Sequence, residues 1–187
     1  MGARFFFFFP LHILPSKYEN KNFLDACSAP GGKSFQILNR NFNIDLNDIS
    51  KKRIEILKSN LNRLNFKAKI MNLDFIKSNK FKKYDFIIVD SPCSSVGTIR
   101  RNPEIFFKTK GPDFKELINI QKRMLEKASL LLNNNGIILY MVCSFLKCET
   151  VDQIKNFLTN HDNFELFNIN SNYRHKEHTK LIKNNYI

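Results

Sequence analysis

Short apolar runs alternate along the chain with segments whose apolar residues recur at helical spacing. The run at 86–90 has four consecutive apolar residues before Asp90, a pattern typical of a strand that is covered on both faces. Shorter apolar runs on either side of it give the same signal. The pattern predicts six strands in all, at 23–26, 42–46, 68–71, 86–90, 136–142 and 164–169.

Helical segments separate these strands. Ser50 is a predicted N-cap, and the helix after it keeps Ile54, Leu57, Leu61 and Leu64 on one stripe. Strands that alternate with helices favour an α/β fold with a doubly wound, mostly parallel sheet and right-handed crossovers. We expect the strand order 3-2-1-4-5 plus an edge strand. The remaining helices are predicted at 33–39, 114–132 and 149–158.

The composition fits one domain flanked by two short segments. Hydrophobic residues make up 43% of the 187 residues, which is enough for a core. The predicted domain covers 22–170, after a Phe-rich lead-in at 1–21 and before a basic tail at 171–187. The run Phe5–Phe9 resembles a signal peptide, but Pro10 interrupts it and no small-residue cleavage site follows. Because no apolar run approaches the ~20 residues that span a membrane, we expect a cytoplasmic protein without membrane contact.

The charge balance narrows the class of partner. Lys and Arg number 30 against 17 Asp and Glu, which gives a net charge of +13 and a pI of about 9.7. Such an excess predicts a polyanionic partner, most often nucleic acid. A compositional bias towards Asn, Lys and Ile is the alternative explanation. The four cysteines are too few for a disulfide scaffold, so we expect reduced thiols, and no metal site is predicted.

Polar and glycine-rich residues follow the first three predicted strands, at the edge where open α/β sheets bind ligands. A turn after the first strand allows close backbone approach and opens a helix N-terminus, but it fits neither the GxGxxG nor the P-loop pattern. Asp48 is either a ribose-binding acid or a carboxylate at a helix N-terminus, and Asp74 is either an adenine-binding acid or an ordinary loop residue. Together these features predict a nucleoside cofactor that is not a dinucleotide. The turn comprises Cys27, Ser28, Ala29, Pro30, Gly31, Gly32 and Lys33.

Two cysteines follow the ends of the fourth and fifth predicted strands. Cys93 comes shortly after Asp90, and Cys143 follows the fifth strand directly. In the order 3-2-1-4-5 these strand ends are neighbours, so we expect the two thiols to lie together over the reactive end of the cofactor. A single buried cysteine is usually inert, but two at adjacent strand ends beside an acid indicate a functional pair. Cys27 and Cys148 are interpreted as non-catalytic.

Four segments of the chain resemble one protein family. DACSAPGGKS, LNDISKKRI, VDSPCSSVGTIRRNPEI and YMVCSFLKCE are similar to the motifs of the RsmB/Sun (Fmu) family of RNA cytosine-C5 methyltransferases, over about 23–167. The resemblance implies a Rossmann-like class I methyltransferase fold with S-adenosylmethionine as the methyl donor. It implies that residues 27–33 wrap the methionine part of the donor, that Asp48 holds the ribose and that Asp74 holds the adenine edge.

The same resemblance implies catalytic and RNA-binding roles. Asp90 would lie near the donor and the target base. Cys143 matches the family's nucleophile, which adds to cytosine C6, and Cys93 matches the second cysteine, which assists product release. Arg100 and Arg101 fall in a segment that looks like the family's RRxP loop, and we expect them to contact RNA. Ribosomal RNA is favoured over transfer RNA as the substrate, and no oligomeric state is indicated.

The chain also departs from the family pattern. Val142 stands where the family usually has Thr, which removes one hydroxyl beside Cys143. Only the Phe-rich segment precedes the first motif, and no counterpart of the family's final strand pair is recognisable, so we expect a sheet that is incomplete at its C-terminal edge. A truncated, inactive RNA-binding fragment is therefore the alternative. A methyltransferase acting on an exocyclic amine is disfavoured, because Ser91-Pro92-Cys93 supplies a thiol where such enzymes carry a polar acceptor.

Overall fold

A computed structural model describes residues 21–107 and 111–166 of the chain. Its sheet has five strands in the order β3-β2-β1-β4-β5, and every pairing is parallel. The predicted α/β class and strand order are therefore confirmed. The strands are β1 (Phe23–Asp25), β2 (Ile44–Asn47), β3 (Lys69–Met71), β4 (Tyr84–Asp90) and β5 (Leu132–Met141).

Helices connect the strands, and capping residues fix where the two longest begin. The Ser50 side chain accepts a hydrogen bond from the Arg53 N–H, as the predicted N-cap requires. Asp113 caps a later helix in the same way through the Glu116 N–H. The helices are α1 (Ser34–Leu38), α2 (Lys51–Arg63), α3 (Phe114–Leu131) and α4 (Val151–Thr159), with 3₁₀ turns at Val96–Thr98, Pro103–Phe107 and Lys147–Glu149.

Each face of the sheet carries its own apolar cluster. One cluster joins the sheet to α1 and α2, and the other joins it to α3. Ile88 of β4 points into the first cluster, whereas Ile87 and Val89 point into the second. All three are fully buried, and burying each stabilises the fold by roughly 1.5–3 kcal/mol relative to exposing it. The apolar run of β4 is thus a strand covered on both faces, as predicted.

Two predictions about the C-terminal half need correction. The fifth strand was expected at 136–142, but β5 starts at Leu132, directly after α3. Its pairing with β4 is irregular there, because Tyr84 pairs with Leu132 while Phe86 pairs with Ile137. The sixth strand was expected at 164–169, but residues 164–166 form no strand and the remainder lies outside the described residues.

Several other expectations fall outside the part of the chain that the structure describes. The Phe-rich lead-in lies there except for its last residue, and so does the whole basic tail at 171–187. Within residues 21–107 and 111–166, no helix combines the length and apolar character needed to cross a membrane.

A glycine turn joins β1 to α1. Gly31 has a φ of +110°, and a Cβ built there would lie 2.0 Å from Cζ of Phe35. A Cβ built on the neighbouring Gly32 would meet nothing within 4 Å. The first glycine is therefore required by conformation and by close contact, whereas the second leaves open space above the turn.

We predict that Gly31→Ala lowers the free energy of unfolding by about 1–3 kcal/mol, because a side chain at this φ is strained and the Phe35 ring must move. The matched control, Gly32→Ala, should change it by less than about 1 kcal/mol. Urea denaturation of both variants, followed by circular dichroism, measures the difference. Equal stability of the two variants would contradict the prediction.

Candidate active site

Asp25, the last residue of β1, accepts hydrogen bonds from residues near both ends of the glycine turn. The Ser34 hydroxyl donates to its Oδ2 at 2.5 Å, and the Cys27 N–H donates to its Oδ1 at 3.2 Å. Burial raises the pKa of Asp25 to about 6, although the hydrogen bond from Ser34 opposes the rise. Nearby Asp90 adds to it. Sequence reasoning placed Asp25 at the end of the first strand and at the start of the DACSAPGGKS motif, but assigned it no role in the site.

Asp48 lies directly against the glycine turn. Its Oδ2 accepts from the Ala29 N–H at 3.3 Å, and its Oδ1 accepts from the Ser50 N–H at 2.9 Å. The guanidinium of Arg53 pairs with the same carboxylate at 3.5 Å and donates to the Ala29 carbonyl. Asp48 thus meets one of the predicted alternatives, a carboxylate at a helix N-terminus, while also lying where the predicted cofactor turn begins.

Asn47 connects the ends of three neighbouring strands. Its side-chain amide donates to the carbonyls of Ala26 at 3.0 Å and Leu73 at 3.1 Å, and its Oδ1 accepts from the Leu73 N–H at 3.1 Å. The side chain is fully buried, and all of these bonds go to backbone. Sequence reasoning missed this residue, because its burial depends on backbone partners 21 and 26 residues away along the chain.

Asp74 follows β3 and closes its own loop. Its Oδ1 accepts from the backbone N–H groups of Ile76 at 3.0 Å and Lys77 at 3.1 Å. Its Oδ2 lies 3.9 Å from the Lys77 ammonium. The geometry is that of the ordinary loop residue that the sequence left open, and binding of an adenine edge stays a prediction.

An ion pair joins the glycine turn to the end of β4. The Lys33 ammonium lies 2.5 Å from Oδ2 of Asp90. Both side chains are largely withdrawn from solvent, with 17% and 31% of their surface exposed. The pair therefore connects the predicted cofactor turn with the residues around the cysteines.

The structure brings the two predicted cysteines together. Their Sγ atoms lie 3.3 Å apart, with Cys93 half-buried and Cys143 exposed. The loop after Cys93 is anchored to the other cysteine, because the Gly97 N–H donates to the Cys143 carbonyl at 3.1 Å. A Cβ at Gly97 would lie 3.1 Å from that same oxygen, so a larger residue would crowd the anchor.

The pKa values of the two thiols are shifted in opposite directions. The hydrogen bond from Cys93 is the main reason why the pKa of Cys143 falls to about 6, and the Ser95 hydroxyl, with Oγ 3.3 Å from the Cys143 Sγ, helps. Burial and the charge of Asp90 oppose the fall. The same thiol–thiol hydrogen bond raises the pKa of Cys93, and burial adds to the rise. These opposite shifts favour a thiolate at Cys143 and a thiol at Cys93.

The other predicted residues lie around this centre. Burial raises the pKa of Cys27 to about 12, so its thiol is protonated at neutral pH. Arg100 and Arg101 are exposed and follow the 3₁₀ turn Val96–Thr98, with the Arg101 N–H bonded to the Thr98 carbonyl at 2.8 Å. Among the described residues, no cluster of three or more His, Cys, Asp or Glu side chains could hold a metal ion.

A buried carboxylate behind the cysteines was not anticipated. Glu149 was expected to begin a helix over 149–158, but α4 starts at Val151, and Glu149 ends a 3₁₀ turn instead. It has no exposed surface, and Gln121 Nε2 donates to its Oε1 at 3.0 Å. The segment KCET at 147–150 has no periodic pattern of apolar residues that would predict the burial of Glu149.

We predict that iodoacetamide alkylates Cys143 with a midpoint near pH 6, and that Cys93→Ala moves this midpoint upward by more than about one pH unit. The reason is that the thiolate loses the hydrogen bond that most stabilises it. Mass spectrometry of tryptic peptides resolves the sites, because Lys147 separates Cys143 from Cys148. An unchanged midpoint in Cys93→Ala would refute the thiol–thiolate assignment, and Cys148→Ser serves as the control.

Comparisons with known proteins identify the family of this chain. A family model described as 16S rRNA methyltransferase RsmB/F matches residues 12–185. The "Ribosomal RNA small subunit methyltransferase B" of Shewanella oneidensis is 39% identical over 144 residues, covering 74% of this chain and 34% of the relative. The protein of the same name from Photorhabdus laumondii is 33% identical over 159 residues, covering 82% of this chain and 37% of the relative. The chain spans about a third of the length of these relatives.

Solved structures agree on the fold. A methyltransferase homologue from Pyrococcus horikoshii has a TM-score of 0.67 and 27% identity, covering 83% of this chain and 50% of its own. NSun6 from the same organism has a TM-score of 0.70 and 24% identity, covering 81% of this chain and 39% of its own. The resemblance inferred from the sequence motifs is thereby confirmed. This chain belongs to the RsmB/F family of 16S rRNA methyltransferases.

Proposed function

We propose that this chain transfers a methyl group from S-adenosylmethionine to C5 of a cytosine in ribosomal RNA, through a covalent bond between Cys143 and C6 of the base. The observation that carries the proposal is the pair of cysteines after the neighbouring strands β4 and β5, whose sulfur atoms lie 3.3 Å apart. The lowered pKa of Cys143 supports its role as the nucleophile. Membership of the RsmB/F family supports the reaction class and the methyl donor.

The residues at the strand ends fit this methyl donor. The turn Cys27–Lys33 follows the central strand β1, and Gly32 leaves open space above it. Asp48 is assigned to the ribose hydroxyls and Asp74, through its Oδ2, to the adenine amino group, because carboxylates accept hydrogen bonds from both. S-adenosylmethionine, when bound, supplies an electrophilic methyl group.

The two cysteines divide the covalent chemistry. The Cys143 thiolate forms an S–C6 bond, and the electron pair of the C5–C6 double bond shifts onto C5 and, through C4, onto N3, which makes C5 nucleophilic. Once C5 carries the methyl group, a base must remove its proton so that the double bond reforms and the S–C6 bond breaks. Cys93 is the base that we assign, because its sulfur lies beside that of Cys143. Once the Cys143 sulfur is bonded to C6, the main cause of the raised pKa of Cys93 is gone, so its thiol can release its proton to solvent and then accept the proton from C5.

Asp90 and Lys33 are assigned to the opposite side of the base. Electron density that reaches the ring during thiolate addition is stabilised by a proton at N3. Asp90 ends β4 close to the cysteines, and the Lys33 ammonium at 2.5 Å can share a proton with it. The ion pair therefore both orients the acid and stabilises the charge that develops on the base.

RNA binding is assigned to the exposed arginines of the loop after Cys93. Arg100 and Arg101 follow the turn that Gly97 anchors to Cys143, so phosphates bound there would bring the strand to the thiolate. The net charge of +13 adds attraction that does not depend on sequence. The target cytosine must be unpaired or flipped out to reach a thiolate. Small-subunit ribosomal RNA is the preferred substrate because the relatives are named for it, and such a substrate implies a cytoplasmic enzyme.

We predict that calorimetric titration detects binding of S-adenosylmethionine to the full chain, and that Asp48→Asn weakens this binding at least about tenfold. A hydrogen bond to a charged acceptor contributes about 1.5–3 kcal/mol, and the amide lacks that charge. Asp152→Asn, on the exposed side of α4, is the matched control and should bind as the wild type does. Folded wild type that binds no donor would favour the inactive RNA-binding fragment instead.

We predict that Cys93→Ala stays covalently attached to unmodified small-subunit ribosomal RNA in the presence of the donor, because no base releases the methylated product. The complex should appear as a slowly migrating band on a denaturing gel. The reaction is best run near about pH 8.5, since this variant loses the hydrogen bond that stabilises the thiolate.

The control for this trap is the double variant Cys93→Ala/Cys143→Ala, which should give no band because it cannot form the S–C6 bond. Cys143→Ala alone should reduce methyl transfer by several orders of magnitude, measured with tritiated donor. A band that persists in the double variant would place the covalent bond elsewhere. A donor-binding Cys93→Ala variant that gives no band would contradict the assigned role of Cys93.

A further inference from the structure

Glu149 is a buried carboxylate to which the proposed reaction gives no role. It ends the 3₁₀ turn Lys147–Glu149, between β5 and α4, and none of its surface is exposed. A buried charge is strongly unfavourable unless hydrogen bonds compensate it. The question is therefore which groups compensate this one, and what they hold in place.

One set of compensating groups lies directly after Cys93. The Ser94 N–H donates to Oε1 of Glu149 at 2.8 Å, and the Ser94 hydroxyl donates to Oε2 at 2.5 Å. Both oxygens of the carboxylate thus bind a single residue through its backbone and its side chain. This two-point attachment fixes the position and the direction of the chain immediately after Cys93.

The other set lies directly after Cys143. The Ser144 hydroxyl lies 3.3 Å from that of Ser94, oxygen to oxygen, and is one of the groups that lower the pKa of Glu149. The Ser144 Oγ accepts a hydrogen bond from the Leu146 N–H at 3.1 Å. Each of the two paired cysteines is therefore followed by a serine, and the two serines meet at one carboxylate.

Two further contacts hold the glutamate itself. Gln121 of α3 donates to Oε1 and, through the same nitrogen, to the Pro92 carbonyl, both at 3.0 Å. The Tyr140 hydroxyl donates to the Glu149 backbone carbonyl at 2.8 Å. Burial alone would raise the pKa of Glu149, but the hydrogen bonds from Ser144 and Ser94 outweigh it, so the net direction is downward. The side chain is a fully bonded carboxylate anchored to α3 and β5.

We propose that Glu149 is the positioning residue of the cysteine pair: by binding Ser94 and Ser144 together, it sets the distance between the sulfur atoms of Cys93 and Cys143. It touches neither sulfur and acts only through the two serines. The effect of Glu149 on methyl transfer rests on the proposed function. Its effect on the acidity of Cys143 does not, because the hydrogen bond between the two sulfur atoms exists without RNA or donor.

The test is the pH profile of Cys143 alkylation in Glu149→Gln. The amide replaces one carboxylate oxygen with an NH₂ group, which cannot accept the hydrogen bonds that Ser94 and Gln121 donate to this side chain. The attachment of the Ser94 and Ser144 loops to residue 149 is therefore weakened. We expect the loops to separate and the thiol–thiolate hydrogen bond to weaken. We expect the midpoint to rise by about one pH unit, which is about a tenfold loss of Cys143 reactivity below the midpoint. Asp90 and Ser95, the other groups that act on this thiol, are unchanged in the variant.

Two comparisons separate positioning from general loss of structure. Glu126→Gln, an exposed glutamate of α3, is the matched control and should leave the midpoint unchanged. In the double variant Glu149→Gln/Cys93→Ala, the midpoint should equal that of Cys93→Ala alone, because Glu149 acts through the pair. A loss of structure would instead add to the effect of Cys93→Ala and lower the melting temperature in proportion.

The outcome that would overturn the proposal is a folded Glu149→Gln variant with the wild-type midpoint. Should this variant fail to fold, Ser94→Ala and Ser144→Ala each remove one half of the attachment and leave the carboxylate its other partners. Both should then raise the midpoint, and wild-type midpoints in both would equally refute the proposal. Alkylation uses neither RNA nor methyl donor, so a failure here is distinguishable from a failure of the proposed function.

Discussion

The pairing of β1 with β4 at the centre of the sheet is the constraint on which the site depends. Asp25 lies opposite Ile88 in this register, so the turn after β1 emerges beside the last two residues of β4. Lys33 can therefore reach Asp90, and their ion pair joins the glycine turn to the cysteine loops. A strand order that separated β1 from β4 would move the glycine turn away from Asp90 along the sheet edge.

Buried polar side chains maintain this arrangement on both sides of the centre. Asn47 bonds the backbone after β1 to the backbone after β3, and Glu149 bonds the residue after Cys93 to the residue after Cys143. A polar group buried without partners would be costly, so each such residue stabilises one arrangement of loops against all others. Loops at a sheet edge have little apolar packing that would fix their conformation. Hydrogen bonds to a buried side chain fix it instead.

Much of the fold was predictable from the sequence because its signals are periodic. The β4 run and the α2 residues Ile54, Leu57 and Leu61 are buried as their pattern predicts, whereas Leu64, the last residue of the predicted stripe, is exposed at the C-cap. Alternation of strands with helices restricts the topology to few orders. The proximity of the cysteines followed from that order alone. Glu149 and Asn47 could not be predicted in the same way, since their burial depends on partners far along the chain. The early start of β5 was missed because its pairing with β4 shifts between Leu132 and Ile137, and a shift leaves no periodic signal.

The acidity of the cysteine pair also bears on the one substitution within the motif that seemed unfavourable. Val142 replaces a residue whose hydroxyl could have stabilised a thiolate at Cys143. In the structure that stabilisation comes from elsewhere: the Cys93 thiol provides the main hydrogen bond, and the Ser95 hydroxyl provides a second. Because one shared hydrogen bond lowers the pKa of Cys143 and raises that of Cys93, the pair separates into a nucleophile and a proton-carrying group without help from position 142. The division of roles follows from the geometry of the two loops, and that geometry does not require the missing hydroxyl.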